Sequence, residues 1–264
     1  MPPHSESDAR FAAGKLAGSC DDLKKQLLGL LDSSGRVAEE VHSIRKLGKS
    51  LRGGFSLFGL KQSSGGEIQA IGRLLSEPRD ATSRLKTWNT LAWNGDPPVA
   101  AAIAALINQQ TRSTSRRPPP ETIDWCLHRV DAAFHALDEI PTEKLDSKIK
   151  KGLKPIVRRA KRYCHTLRKV SSPDLHETRK ALKALMGAAD FLPEGAIPHM
   201  REVEKLTEHL GDENDLAMLS IWLKNHGFTK KFTPDLWKAL KAARKRIQRK
   251  AVKDARHLHF LWKP

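Results

Sequence analysis

The sequence predicts an all-α protein of two pseudo-symmetric helical bundles that arose by internal duplication. Leu, Ala, Lys, Arg and Glu dominate the 264 residues, and the runs of Val, Ile and Thr that are typical of strands are missing. Aromatic residues make up only 6% of the chain, which also disfavours strands. A basic stripe that begins with a histidine occurs twice, 134 residues apart, and this repeat indicates the duplication.

The repeated stripe has histidine, arginine and two lysines at the same spacings in both copies. It consists of His42, Arg45, Lys46 and Lys49, continued by Arg52, in the first half, and of His176, Arg179, Lys180 and Lys183 in the second. On an α-helix of about 100° per residue, the first copy falls within an arc of roughly 120°, and the apolar residues occupy a separate arc. Each copy is therefore predicted to bury one face and to present cations beside it. A merely solvated face has no reason to repeat its pattern, so the duplication favours a binding site.

The first half, residues 8–140, is predicted to contain six helices. Leucines at helical spacing from Leu16 to Leu31 indicate an opening helix that ends at Asp32-Ser33-Ser34-Gly35, residues that favour caps and turns. The motif helix follows over 37–60, and residues 61–66 are expected to form a flexible break. The remaining helices are expected as a pair marked by Pro78 and closed at 94–98, then over 99–114 and 121–139, with a proline-rich loop before the last of them and a crossover at Pro141.

The second half, residues 141–262, opens with a one-sided run of charge. No acid occurs between Ser147 and Pro173, whereas ten Lys and Arg residues do, among them Arg158, Arg159 and Arg162. Uncompensated repulsion on one helix is destabilising, so a ligand or an acidic neighbour is expected to offset it. Residues 171–174 are predicted to cap the second motif helix, which extends to 191. Later helices are predicted over 197–210, 213–225 and 233–259, and the last of these includes Arg244 and Lys245.

Composition indicates a polyanionic partner and an intracellular location. The 47 Lys and Arg residues against 30 Asp and Glu give a formal net charge of +17, far more than solubility requires. The three cysteines are an odd number without zinc-site spacing, which argues against a secreted disulfide framework and favours a reducing cytoplasm. No export signal is recognised at the N-terminus and no segment approaches about 18 uninterrupted apolar residues, so we expect no membrane partner.

The two stripes resemble the motif His-x-x-Arg-(Val/Lys)-x-x-(Lys/Arg) that marks each half of the CHAD family, the conserved histidine α-helical domain. Arg79-Asp80 and the string Leu210-Gly211-Asp212-Glu213-Asn214-Asp215 stand where the family has related sequences, and the likeness extends from about residue 15 to 262, as one domain over 1–264. The second motif departs from the family by continuing with Met186-Gly187 where Arg-Tyr is common.

The resemblance implies a protein that binds inorganic polyphosphate and directs or tethers itself to it, in the cytoplasm and at polyphosphate granules, without a cofactor and without turnover. The two motif helices are expected to line a shared basic groove or pore, with the central contacts from the Arg and Lys residues of both stripes. Arginine grips phosphate oxygens with two hydrogen bonds, lysine adds a point charge, and His42 and His176 donate from the ring. The cations near 158–162 and 244–250 would extend this surface. Asp80 and Asp215 are interpreted as carboxylates that orient the basic rows, with no metal bound.

Two alternatives remain, one a different binding protein and the other an enzyme. A helical protein that binds nucleic acid fits the net charge, and nucleic acid, bound non-specifically, is the second candidate partner. The expected absence of surface aromatics and of known DNA- or RNA-binding motifs weighs against this function. The six tryptophans are expected mostly in the core. A metal-dependent enzyme of polyphosphate metabolism is disfavoured because the sequence has no acidic metal cluster, nucleotide-binding loop or nucleophile elbow.

Overall fold

A computed structural model describes residues 6–32, 37–91, 93–114, 117–167 and 172–263 of the chain. Within these ranges there are ten α-helices, one short 3-10 helix and no strand, so the predicted all-α class is confirmed. None of the described helices is both long and apolar enough to cross a bilayer. In chain order the helices are α1 Glu6–Asp32, α2 Val37–Leu57, α3 Ser64–Leu74, α4 Ser76–Leu91, α5 Pro97–Thr114, α6 Pro120–Asp138, α7 Leu145–Thr166, α8 Ser172–Ala189, α9 Met200–Asn225 and α10 Pro234–Leu261.

Most predicted helix ends lie within a few residues of the observed ones, but two predictions are wrong. The break expected between 210 and 213 does not exist, because α9 continues through Gly211. Leu206, Leu210, Leu216 and Leu219 of this helix are buried, and that packing outweighs the ~1 kcal/mol helix penalty of a glycine. The break expected over 61–66 is shorter, because α3 begins at residue 64. Residues 33–35, 168, 169 and 171, which carry parts of the predicted turn, charge run and cap, lie outside the described residues.

The division of α3 from α4 precedes the proline that marked it. The chain leaves the helix at Leu75, and Pro78 is the third residue of α4. A proline is tolerated in the first turn because the amide groups there have no partner within the helix. At the 134-residue offset of the stripes, residues 64–91 fall on 198–225, and most of that range is the single long helix α9.

Two hydrophobic clusters hold the fold together, and each draws on both halves of the chain. The larger combines α1, α2, α3 and α6 with α7, α8 and the neighbouring parts of α9 and α10. The smaller combines α4 and α5 with the C-terminal part of α9 and the N-terminal part of α10, around Trp88 and Trp222. The halves 8–140 and 141–262 therefore share their cores.

The two motif helices, α2 and α8, cross at a pair of glycines. A Cβ atom on Gly53 would lie 2.2 Å from the carbonyl carbon of Gly187, so only glycine permits this approach. Gly53 and Gly187 are 134 residues apart, the same separation as the stripes. In a twofold arrangement, residues on the axis contact their own equivalents. The pseudo-twofold duplication stays a prediction, and this contact supports it.

Candidate functional site

The apolar arcs of the two motif helices are buried as their periodicity predicts. In α2 the buried residues include Val41, Ile44 and Leu51, and in α8 Leu175 and Leu182 are buried. The neighbouring arcs carry the stripes, whose side chains are exposed or half-buried. Because the helices cross at the glycine pair, these arcs meet along one side of the crossing.

Residues of both stripes line one groove of about 820 Å³ between α2, α8 and α9, which we call the motif groove. The first motif contributes His42, Lys46 and Lys49, and the second contributes Arg179 and Lys183. Five of the predicted contact residues thus face a common space although they are up to 141 positions apart in the chain. Several cations about one helical turn apart match a ligand that carries a series of anionic groups.

The opposite wall of this groove is acidic. Glu204, Glu208, Asp212 and Asp215 lie on α9 at spacings of four, four and three residues, which places them on one helix face. Asp190, just after α8, also lines the groove and accepts a hydrogen bond from Ser50 Oγ. The sequence predicted a basic groove, and the structure instead has a groove of mixed charge.

Asp215 and Asp212 occupy different electrostatic settings on this acidic wall. Asp215 accepts a hydrogen bond of 3.0 Å from Ser83 Oγ, which joins α4 of the first half to α9 of the second. Desolvation, followed by the nearby charge of Asp215, raises the pKa of Asp212. The charges of Asp215 and Glu208 on this wall are therefore close enough to oppose the ionisation of Asp212.

The predicted orienting role of Asp80 and Asp215 is untested by this geometry. Asp80 is exposed on α4, where its charge opposes the lowering of the Arg84 pKa that desolvation causes. Asp215 faces the groove, with Ser83 as its hydrogen-bond donor from α4. The side chain of Arg79 lies outside the described part of the chain.

Arg45 and Arg52 extend towards α3. Arg45 Nη1 donates a hydrogen bond to the carbonyl oxygen of Gly72, and Arg52 Nη2 donates one of 3.0 Å to Gln69 Oε1. Both arginines line a smaller cavity of about 220 Å³, together with Lys49. Desolvation, followed by the charge of Arg73, lowers the pKa of Arg52. Lys49 thus connects this cavity to the groove.

A carboxylate at the α7–α8 contact binds cations from both helices. Glu177 accepts hydrogen bonds of 2.9 Å from Arg159 and from Lys180. The pKa of Glu177 is lowered, and the hydrogen bond from Lys180 is the largest cause. An acidic neighbour, one of the two expected ways to offset the α7 charge run, is therefore present for Arg159. The other predicted contacts in this region, all exposed, are Arg158, Arg162 and His176.

Arg244 is held in place by a buried carboxylate. Its Nε atom lies 3.0 Å and its Nη2 atom 2.5 Å from Glu213 Oε1, which also accepts a 2.9 Å hydrogen bond from Gln248. Glu213 is 3% exposed, so this ion pair anchors α10 on α9. Lys245, the next residue, is exposed.

Other reactive groups are few among the described residues. No cluster of three or more His, Cys, Asp or Glu side chains in these ranges is arranged to hold a metal ion. Cys20, Cys126 and Cys164 are buried thiols, and burial raises the pKa of Cys20 to about 12 and that of Cys126 to about 11. Thiols with such pKa values carry little thiolate at neutral pH and are poor nucleophiles.

Sequence reasoning missed the acidic wall and the glycine crossing. The four carboxylates of α9 recur at helical spacing in the sequence, but the break wrongly predicted at Gly211 assigned them to two separate helices. The separation of Gly53 from Gly187 equals that of the stripes, yet only the packing shows that these glycines touch.

The fold and a long stretch of the sequence match known proteins. The CHAD domain family matches residues 15–224. The crystal structure of the CHAD domain from the plant Ricinus communis is similar at 15% identity and a TM-score of 0.66, covering 95% of this chain and 91% of that one. PptA from Streptomyces chartreusis is similar at 15% identity and a TM-score of 0.58, with 96% and 98% covered. No protein with a curated description has a significant match. At these identities the structural likenesses establish the fold.

Proposed function

Since the chain belongs to the CHAD domain family, we propose that it binds inorganic polyphosphate and acts as a targeting or tethering module that does not make or cleave the polymer. The observation that carries the proposal is the groove in which cations of both stripes meet. A stretch of polyphosphate along α2 and α8 would contact Lys46, Lys49, Arg179 and Lys183 together. Cytoplasmic polyphosphate granules are the location at which such a module would act.

The acidic wall of the groove restricts how the ligand lies. Glu204, Glu208, Asp212 and Asp215 repel phosphate, so a bound chain is confined to the α2–α8 side. Close contacts with guanidinium and ammonium groups must therefore supply the affinity within the groove. The net charge of +17 attracts the polymer from a distance.

The test is a titration of the protein with long-chain polyphosphate at several salt concentrations. Replacing Lys46, Lys49, Arg179 and Lys183 by Glu should lower the affinity by ~100-fold or more, because four attractive charges become repulsive. If the single-strand value applies, the slope of log affinity against log salt should fall by about 0.7 for each phosphate that the variant no longer neutralises. We leave Arg45 unchanged, because its bond to Gly72 makes it part of the α2–α3 packing.

A matched control carries the same change in net charge at exposed lysines outside the groove: Lys15, Lys61, Lys144 and Lys224, each changed to Glu. This variant should lose much less affinity than the groove variant. Equal losses in two folded variants would show that net charge alone governs binding and would reject the groove as the site. Hydrolysis of polyphosphate by the parent protein with added Mg²⁺ or Mn²⁺, lost on Asp215→Ala, would reject the binding-only function.

A further inference from the structure

The exposed side of α10 carries a continuous row of cations outside the groove. Its members recur at spacings of three or four residues, so they share one helix face over about 27 Å. All six are exposed, and none pairs with a carboxylate of the described residues. This row, the α10 ridge, consists of Lys238, Lys241, Lys245, Arg249, Lys253 and Arg256.

Few acids oppose the ridge. Of the two carboxylates on α10, Asp254 is bound by Lys205 at 3.2 Å and by His209 at 2.8 Å, and Asp235 lies in the first turn. The pocket of about 740 Å³ at the start of the ridge has no Asp or Glu among the described residues of its lining. The ridge is therefore strongly cationic, whereas carboxylates offset the cations of the motif groove.

Aromatic rings lie at both ends of the ridge. Phe232 and Phe260 are 72% and 70% exposed, the highest values among the large apolar residues described. Phe232 precedes α10, and Phe260 lies four residues after Arg256 on the same helix face. Trp237 lines the pocket, and its ring is fixed by a 2.8 Å hydrogen bond from Nε1 to the carbonyl oxygen of Phe228. The expectation that surface aromatics are absent is therefore wrong.

We propose that the α10 ridge and its flanking rings bind single-stranded nucleic acid, independently of the motif groove. A row of cations follows a phosphate backbone, and exposed rings stack on unpaired bases. Polyphosphate has no apolar part that would use the rings, and a duplex keeps its bases stacked inside. This function lies beyond the binding of polyphosphate and does not depend on it.

The test measures fluorescence anisotropy of a labelled single-stranded oligonucleotide, oligo(dT) or oligo(U), titrated with the full chain at fixed salt. Phe232→Ala with Phe260→Ala should weaken binding by about 10-fold or more through lost stacking, and should leave polyphosphate affinity unchanged. Phe11→Ala is the matched control, since Phe11 is a 52% exposed ring on α1. Its oligonucleotide affinity should equal that of the parent.

Charge reversal tests the ridge itself. Lys241, Lys245 and Arg249 changed to Glu should weaken oligonucleotide binding by ~30-fold or more and lower the salt slope by about 2, whereas the same change at Lys15, Lys61 and Lys144 should not. The quadruple groove variant should bind the oligonucleotide as its own charge-matched control does. A ring variant that binds like Phe11→Ala, or a ridge variant that binds like its control, would overturn the proposal. The proposal would also be overturned if Phe232→Ala with Phe260→Ala weakened binding to anionic lipid vesicles but not to the oligonucleotide. If polyphosphate binding fails while these results hold, the proposed function falls and this inference stands.

Discussion

The motif groove and the α10 ridge present cations in opposite electrostatic settings. In the groove, Lys46, Lys49, Arg179 and Lys183 share a space of about 820 Å³ with five carboxylates. On the ridge, six cations lie in a row with no carboxylate of the described residues paired to them. A ligand enters the groove only if it fits between walls of opposite charge, which favours selectivity. The cations of the ridge face no such acidic wall and lie open to solvent, so binding there should be the more sensitive to salt.

Gly53→Ala should have the largest effect and should act on the groove first. Its Cβ would meet the backbone of Gly187 at 2.2 Å, so α2 and α8 must move apart, at a cost of about 3 kcal/mol or more in the free energy of unfolding. Urea denaturation followed by circular dichroism measures this loss. The surviving folded fraction should bind polyphosphate poorly and still bind single strands.

Gly18→Ala is the control for that substitution. Gly18 lies in α1, and a Cβ atom added there would have no neighbour within 4 Å, so alanine should stabilise the helix by about 0.5–1 kcal/mol. Similar urea midpoints for the two variants would show that the glycine crossing is not a tight contact.

Arg244→Ala should separate anchoring from ligand binding on α10. Removing this guanidinium leaves Glu213 buried with only Gln248 as a donor among the described residues, which should lower the free energy of unfolding by about 3 kcal/mol. Lys245→Ala, one residue further, should change stability by less than about 0.5 kcal/mol while weakening oligonucleotide binding. If instead Arg244→Ala keeps full stability and loses polyanion affinity, Arg244 is a ligand contact and not an anchor.

Asp212→Asn should have the smallest effect, and its sign depends on pH. Folding raises the pKa of Asp212, so its ionisation destabilises the native state above the folded pKa and does not do so below the ordinary value of 3.8. The asparagine variant should therefore be more stable than the parent at neutral pH, and the difference should shrink as the pH falls below the raised pKa and vanish below 3.8. Loss of one repelling charge should also raise polyphosphate affinity by about 2- to 5-fold.

Asp124→Asn on α6 serves as the control for this change, because Asp124 is exposed and does not line the groove. It should alter neither stability nor affinity. A rise in affinity equal to that of Asp212→Asn would indicate an effect of net charge and not of the acidic wall.

Sequence alone predicted what depends on local periodicity and repetition. The stripe residues Lys46 and Lys183 followed from helical spacing and the 134-residue repeat, and both lie in the groove. Ion pairs between helices were beyond reach, because they depend on packing: nothing near Arg244 in the sequence identifies Glu213 as its partner. At Gly211 the local signal was misleading: the low helix propensity of glycine predicted a break, but the burial of neighbouring leucines keeps α9 continuous.

The sharing of both cores between the halves bears on how the chain is synthesised. When the ribosome has released only the residues up to about 140, α2 and α4 lack α8 and α9, the helices that later cover them. The nascent first half thus displays an apolar surface until its counterpart emerges, and such surfaces recruit chaperones or aggregate. Completion of the fold waits for the last helix, because α10 supplies Leu236 and Leu240 to the smaller core and Leu258 to the larger.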